Sequence, residues 1–174
     1  RGLIYNETLP ELTEALSQIP NSFRLDGEIV YIDDEGHQIF SGSQKRCQVS
    51  NQRKIEQYKK LYPVGLFVWD ITMLNNIDFV KAKIPYYQRR QLLETFIKLN
   101  KMLYGLEVIR IIPASSDLEK IYNWAIENGF EGIVMKKLDS PYEQKRSKFW
   151  LKVKRREHTI WTLPNQGKIL RDKK

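Results

Sequence analysis

The chain has 174 residues, a formal net charge of +8 and 41% hydrophobic residues, including nine Tyr, seven Phe and four Trp. That composition suffices for one domain with a buried core and argues against a disordered tail. No apolar run approaches the ~20 residues that span a membrane, no signal peptide opens the sequence, and the single Cys47 excludes an internal disulfide. We therefore expect an intracellular protein, cytoplasmic or nuclear and not secreted.

The first predicted elements are a helix and a strand. Thr8 and Glu11 have the spacing of a capping box, and apolar residues continue at helical spacing until Pro20. The β-rich run Phe23–Ile32 follows and predicts a strand that turns back after Asp33.

This strand carries two acids on one face, Asp26 and Glu28. Acids are disfavoured inside strands, so the pair indicates either a functional site or an exposed sheet face. Gly27 between them indicates the close approach of another backbone or of a ligand.

The next stretch predicts an irregular segment, a helix and a buried strand. Residues 41–49 are polar, and Ser50 is the expected cap of a basic helix that ends before Pro63. Residues 64–71 are apolar on both faces, as in a buried strand. The pair Asn75-Asn76 marks the turn after that strand.

A longer helix is predicted from Tyr86 to about residue 100, with Leu, Phe and Ile side chains inward and with Arg89 and Arg90 outward. Residues 106–112 predict a further strand.

One more helix precedes the basic end of the chain. Ser116 with Glu119 forms a second capping box, and Gly129 would terminate this helix in the left-handed region. Strands and helices are therefore mixed, and the expected connections include hairpins rather than regular βαβ units. This pattern favours an α+β fold with largely antiparallel sheets flanked by helices.

Residues 131–137 and 150–155 read as two strands with alternating faces. One face of the first would hold Glu131, Ile133 and Met135, and one face of the second Trp150, Lys152 and Lys154. A carboxylate near two ammonium groups forms either a phosphate site whose acid holds a divalent metal, or a surface ion-pair ladder.

Positive charge is concentrated around the second of these strands. Between Lys145 and Arg156, seven of twelve residues are Lys or Arg, none is acidic and two are aromatic. Such a stripe suits a nucleic-acid backbone, and a solvated basic face is the alternative. The candidate DNA contacts are Lys145, Arg146 and Lys148.

Five stretches, in order, resemble the motifs of covalent nucleotidyltransferases, specifically of ATP-dependent DNA ligases. They are Leu-Asp-Gly-Glu-Ile-Val at 25–30, Phe-Ser-Gly-Ser-Gln-Lys-Arg at 40–46, Leu-Phe-Val-Trp-Asp-Ile at 66–71, and the stretches 131–137 and 150–155. Two departures occur: Ser43 stands where Leu is usual, and Trp69 precedes Asp70 where Phe is more common. The resemblance implies the ATP-grasp-like nucleotidyltransferase fold of DNA ligases.

The resemblance also implies site residues, ATP and Mg²⁺ as cofactors, and nicked or broken double-stranded DNA as substrate. Glu28 would contact the ribose or a metal ion, Glu131 would help to place the metal, and Trp69 would stack on adenine. Lys152 and Lys154 would contact the α-phosphate.

Two further residues are interpreted through the resemblance. Arg1 would be the remnant of the Ser-Arg motif that touches the nick phosphate. Asp70 is interpreted as holding the local structure.

Two ligase motifs are absent. The nucleophilic lysine of a Lys-x-Asp-Gly motif would lie upstream of Arg1, and the near match that begins at Lys137 is interpreted as a false lead. The last motif, on a C-terminal oligonucleotide-binding-fold domain, is also missing. We therefore expect a partial adenylation domain over residues 1–156, and over residues 157–174 the start of a linker. The remaining N- and C-terminal parts of the ligase would be its partners, and the chain alone would be inactive.

Two other functions share these features. An RNA ligase or capping guanylyltransferase has the same nucleotide motifs, and a non-catalytic nucleic-acid-binding module could retain the fold. The segment 40–46 and the Trp-Leu-Lys-Val-Lys run favour a DNA ligase, and retained acids argue against a module that only binds phosphate.

Overall fold

A computed structural model describes residues 4–33, 38–155, 162–163 and 166–168. Its helices are α1 (Pro10–Ser17), α2 (Phe40–Cys47), α3 (Gln52–Leu61), α4 (Tyr86–Tyr104) and α5 (Leu118–Glu127). Its strands are β1 (Phe23–Ile32), β2 (Gln38–Ile39), β3 (Val64–Leu74), β4 (Ile77–Asp78), β5 (Ile109–Ile111), β6 (Gly132–Lys136), β7 (Trp150–Lys154), β8 (Thr162–Leu163) and β9 (Gln166–Lys168). The predicted α+β fold is confirmed. In the described part of the chain, no helix is long and apolar enough to cross a bilayer.

The larger sheet has the strand order β2-β1-β3-β4, with antiparallel pairing, and β5 pairs parallel to β3. Val68 and Ile71 on β3 are fully buried, as the apolar run predicted, and they join the main core with Leu93, Phe96 and Ile97 of α4. This packing fixes α4 across the sheet. Asn75 and Asn76 have φ angles of 49° and 66°, which confirms the predicted turn between β3 and β4.

Two bulges interrupt the pairing of β1 with β3. Asp26 lies opposite Asp70 but Gly27 lies opposite Val68, so Trp69 is an extra residue on β3. A Cβ added to Gly27 would lie 2.4 Å from the carbonyl oxygen of Phe67. The expected close approach at Gly27 is therefore confirmed, and the approaching backbone is that of β3.

Several expected helix boundaries are wrong. Helix α1 begins at Pro10 without a side-chain cap, because the fixed φ of proline suits the first helical position and Glu11 pairs with Arg46 instead. For α3 and α5, the N-cap residue is one position after the expected Ser50 and Ser116. Asn51 accepts a hydrogen bond from the Lys54 amide, and Asp117 from that of Lys120.

Residues 40–47 form helix α2, and the expectation of an irregular segment is wrong. Gly42 packs on the Tyr31 ring of β1 so closely that a Cβ there would lie 2.1 Å from the ring. Arg46 is fully buried and donates to Glu11 Oε1. These tertiary contacts stabilise a helix whose own sequence is a weak helix former.

A second, smaller sheet consists of β6 and β7, which are antiparallel, with α5 packed against β6. Gly129, with a φ of 77°, follows α5 as predicted. Helix α4 continues to Tyr104, beyond the predicted end near residue 100, and ends at Gly105 in the left-handed region. The strand expected over 106–112 is limited to β5.

Of the remaining expectations, Arg1 and most of the proposed linker from residue 157 lie outside the described residues.

Candidate nucleotide site

The two lysines predicted to contact phosphate lie on one face of β7. In the β6–β7 register, Lys154 is opposite Gly132, Lys152 opposite Val134 and Trp150 opposite Lys136. Paired residues of an antiparallel ladder project on the same side of the sheet. This face therefore carries three lysines and a tryptophan, and Lys152 and Lys154 are exposed on it.

Glu131 does not share a face with Ile133 and Met135, contrary to expectation. It precedes β6, and the φ of 143° at Gly132 breaks the strand alternation. Its carboxylate accepts a hydrogen bond of 2.7 Å from Lys154 Nζ, and this bond and the lysine charge lower the pKa of Glu131. The pair is exposed, so it contributes little to stability. Glu131 is thus ionised and accessible beside the lysines.

The two acids of β1 have different environments. Asp26 is half-buried, and its Oδ2 accepts a hydrogen bond of 2.9 Å from the Tyr142 hydroxyl. Glu28 is exposed and makes no hydrogen bond or ion pair within the described residues. The two acids therefore do not act as a pair. Asp26 makes a structural hydrogen bond, whereas Glu28 is exposed and accessible to a ligand.

Trp69 is half-buried at the bulge of β3 that lies beside Asp26 and Gly27. Bulges are over-represented next to active sites because they redirect a side chain out of the regular alternation. Trp69 is therefore the residue of β3 that departs from the regular pairing with β1, two positions along β3 from the partner of Glu28, Phe67.

A groove of about 380 Å³ separates the two sheets, within the usual size range of ligand pockets. It is lined by Arg24, Leu25, Asp26, Thr72, Tyr142, Glu143, Gln144, Lys145 and Trp150. The face of β1 that carries Asp26 and the face of β7 that carries Trp150 thus meet at one groove. Glu28 and Lys152 continue these two faces.

Arg89 is fully buried, so the expectation that it faces outward is wrong. Its Nε and Nη2 donate to Asp70 Oδ1 and Oδ2 at 2.8 and 3.0 Å, and Nη1 donates to the carbonyl oxygens of Ile84 and Ser140. Asp70 is also fully buried and has the structural role that the sequence suggested. Arg89 precedes the core residue Leu93 by one helical turn, and that spacing could have predicted its burial.

Lys136 is a residue of this site that sequence analysis missed. Its ammonium group lies 4.2 Å from the Trp150 ring centroid, 4.7 Å from that of Tyr86 and 3.5 Å from Asp70 Oδ2. Burial lowers the pKa of Lys136, and the charges of Asp70 and Asp26 oppose that shift. The cation therefore lies in a cage of two rings and a carboxylate.

The candidate DNA contacts Lys145, Arg146 and Lys148 are all exposed in the segment between β6 and β7. Lys145 lines the groove, and Lys148 Nζ lies 5.5 Å from the Phe149 ring centroid. The segment thus presents three cations to solvent beside the groove.

Within the described residues, no cluster of three acidic, histidine or cysteine side chains could hold a metal ion by itself. Mg²⁺ is commonly bound by one or two carboxylates together with substrate phosphates and water. Glu28 and Glu131, both exposed, fit that donor set when a polyphosphate supplies the other oxygens.

The fold and these side chains define an α+β domain with a groove between its two sheets and with two exposed lysines on the smaller sheet. The model of the ATP dependent DNA ligase domain family matches residues 4–154, and the chain belongs to that family. Relatives include DNA ligase 1 of Methanosarcina mazei, 38% identical over 162 residues, and a probable DNA ligase of Aquifex aeolicus, 36% identical over 154 residues. These matches cover 83% and 84% of the chain but only 26% and 25% of the relatives. The chain thus spans about a quarter of their length.

Solved structures of DNA ligases have the same fold. The ligase domain of M. tuberculosis LigD has a TM-score of 0.62 and 24% identity, over 86% of this chain and 43% of that one. A mycobacterial DNA ligase D complexed with ATP and MES has a TM-score of 0.55 and 22% identity, over 89% of this chain and 44% of that one.

Proposed function

We propose that this chain is the nucleotide-binding part of the adenylation domain of an ATP-dependent DNA ligase. The observation that carries the proposal is the pair of lysines beside the exposed Glu131, on the same face of β7 as Trp150, which lines a groove together with Asp26 of β1. Family membership supports the same function.

In this proposal each exposed group has one task. Lys152 and Lys154 contact the α-phosphate and stabilise the negative charge that develops there. Trp69 stacks on adenine, and Glu28 binds the ribose or the metal. When bound, Mg²⁺, held by Glu131 and Glu28, neutralises charge on the phosphates.

In this proposal the nucleophile is a lysine in another part of the full-length protein. Its Nζ attacks the α-phosphorus of ATP, so that a nitrogen–phosphorus bond forms, the bond to the β-phosphate oxygen breaks and pyrophosphate leaves. An oxygen of a DNA 5′-phosphate then attacks the phosphorus of AMP, so that the nitrogen–phosphorus bond breaks and the lysine is released. A 3′-hydroxyl finally attacks the 5′-phosphorus, and AMP leaves as the DNA strand is joined. The substrate is nicked or broken double-stranded DNA, as formed inside cells in replication and repair. Its backbone is contacted by Lys145, Arg146 and Lys148, and the nick phosphate by Arg1.

The test uses the full-length protein that contains this chain, incubated with radiolabelled ATP and Mg²⁺ and examined on a denaturing gel. We expect a covalent label that requires Mg²⁺, and a loss of at least about 100-fold in its rate of formation in Lys152→Met. The exposed Lys98 of α4, changed to Met, is the control and should retain the rate.

Two outcomes would contradict the proposal. The absence of any label on the full-length protein would favour a non-catalytic nucleic-acid-binding module. Sealing of nicked RNA but not of nicked DNA would favour an RNA ligase.

A further inference from the structure

Two neighbouring lysines at the end of β6 have opposite environments. The side chain of Lys136 is 7% exposed, whereas that of Lys137 is 61% exposed and pairs with Asp139 on the surface. A lysine is rarely buried unless its charge is compensated. The burial of Lys136 therefore requires a specific set of partners.

Those partners come from three separate elements. Trp150 belongs to β7, Tyr86 to the first turn of α4, and Asp70 to β3 of the larger sheet. The Lys136 ammonium group lies within 4.7 Å of both ring centroids and 3.5 Å from the carboxylate oxygen. A single cation thus joins the small sheet to the large sheet and to α4.

The carboxylate that holds this cation is itself held in place. Arg89 donates two hydrogen bonds to Asp70 and one to the Ser140 carbonyl oxygen. The same oxygen accepts from the Tyr86 amide, which lacks a partner within its own helix because it lies in the first turn. The segment that leaves β6 is therefore fixed to α4 at Ser140, four residues after Lys136.

Trp150 is held from a second side. Its ring makes an edge contact with Tyr142 at 5.3 Å between centroids, and the Tyr142 hydroxyl donates to Asp26 on β1. In the part of the chain that the structure describes, no strand pairing joins the two sheets, so these side chains set the position of β7 relative to β1.

The structure assigns to Lys136 the role of a positioning residue: its caged ammonium group fixes the Trp150 ring and, through β7, the places of Lys152 and Lys154 opposite the acidic face of β1. The ammonium group contacts Asp70 and the two rings. Lys136 therefore affects the reaction through the position of β7 and not by contact with the nucleotide. This inference rests on the proposed function for its catalytic consequence, and on the geometry alone for the position of Trp150.

The test compares Lys136→Met with Lys137→Met in the full-length protein. The two variants lose the same charge at adjacent positions, but only the first empties the cage. Incorporation of 5-fluorotryptophan gives Trp150 a fluorine resonance, which Trp150→Phe assigns. We expect this resonance to shift or broaden in Lys136→Met and to stay in place in Lys137→Met.

The second readout is the single-turnover rate constant of adenylation, which does not depend on the fraction of active protein. A small misplacement of catalytic groups can cost about 100-fold in rate, so we expect a loss of about 10- to 100-fold at saturating ATP in Lys136→Met. The ATP concentration for half-maximal rate should change less, and Lys136→Arg, which keeps a cation, should restore part of the rate.

If Lys136→Met does not fold, nuclear Overhauser contacts in the unsubstituted protein decide the matter. The ε-methylene protons of Lys136 should contact the indole ring of Trp150, and the absence of these contacts would overturn the assignment. An unmoved Trp150 resonance, or an equal loss of rate in Lys137→Met, would also overturn it. If the unsubstituted protein forms no adenylate, the proposed function fails, while the fluorine resonance still tests the position of Trp150.

Discussion

The substitution Asp70→Asn tests the buried ion pair that joins β3 to α4. Asparagine has nearly the same shape as aspartate, so the change removes the charge without opening a cavity. Arg89, which is fully buried, then lacks its carboxylate, and Lys136 loses its nearest anion. The charges that remain in the cluster would then be Arg89, Lys136 and Asp26.

Breaking a buried ion pair by removing one partner costs about 3–5 kcal/mol because the remaining charge stays desolvated. A domain of this size has a free energy of unfolding of about 5–15 kcal/mol, so the loss is a large fraction of the total. At about 2–4 °C per kcal/mol, the melting temperature should fall by roughly 6–20 °C.

Urea unfolding followed by circular dichroism measures the effect, with Glu107→Gln as the matched control. Lys101 Nζ lies only 2.6 Å from Glu107 Oε2, closer than Arg89 lies to Asp70, but the Glu107 side chain is 74% exposed. Solvent screening limits such a pair to about 1 kcal/mol or less. Equal losses in the two variants would refute the argument that burial, and not distance, decides the value of these pairs.

Three other substitutions test local features. Gly27→Ala should destabilise the chain by about 2 kcal/mol or more in urea unfolding, since its Cβ would lie 2.4 Å from the Phe67 carbonyl oxygen. An unchanged stability would mean that the backbone at the β1–β3 bulge can shift at little cost in free energy. Burial and the Asp26 carboxylate raise the pKa of Tyr142 above its usual value. The folded chain therefore keeps a proton that the unfolded chain loses near pH ~10, and stability falls as the pH rises above that value. Tyr142→Phe should reduce this alkaline loss of the urea midpoint, and an unchanged profile would contradict the shift. Asp117→Ala should cost about 1 kcal/mol, and Ser116→Ala almost nothing, in the same assay; the reverse order would reinstate the capping box.

The strands of the candidate site could be predicted from sequence because alternation is a local property. The bounds of β1, the buried character of β3 and the shared face of Lys152 and Lys154 all follow from spacing along one segment. Glu131 was misplaced because Gly132 adopts a positive φ, and the sequence does not distinguish this from an ordinary strand glycine.

The buried charges could be predicted only in part, because their partners are distant in sequence. Arg89 meets Asp70 19 residues away, and Lys136 meets it 66 residues away. An acid in the middle of a buried strand does require a cation, so Asp70 alone signals a missing partner. Which basic residue supplies the partner depends on how α4 and β6 pack, and no local pattern contains that information.

Charge balance gives a last prediction, on whether these groups act as one unit. The cluster holds the acids Asp26 and Asp70 and the cations Arg89 and Lys136. Asp70→Asn leaves one excess positive charge and Lys136→Met one excess negative charge, but the double variant leaves one acid and one cation. We therefore expect the double variant to be more stable than the sum of the two single losses by about 1–3 kcal/mol, measured by urea unfolding in a double-mutant cycle. Additive losses would show that Lys136 and Asp70 do not share a charge balance, and that the aromatic cage alone holds the lysine.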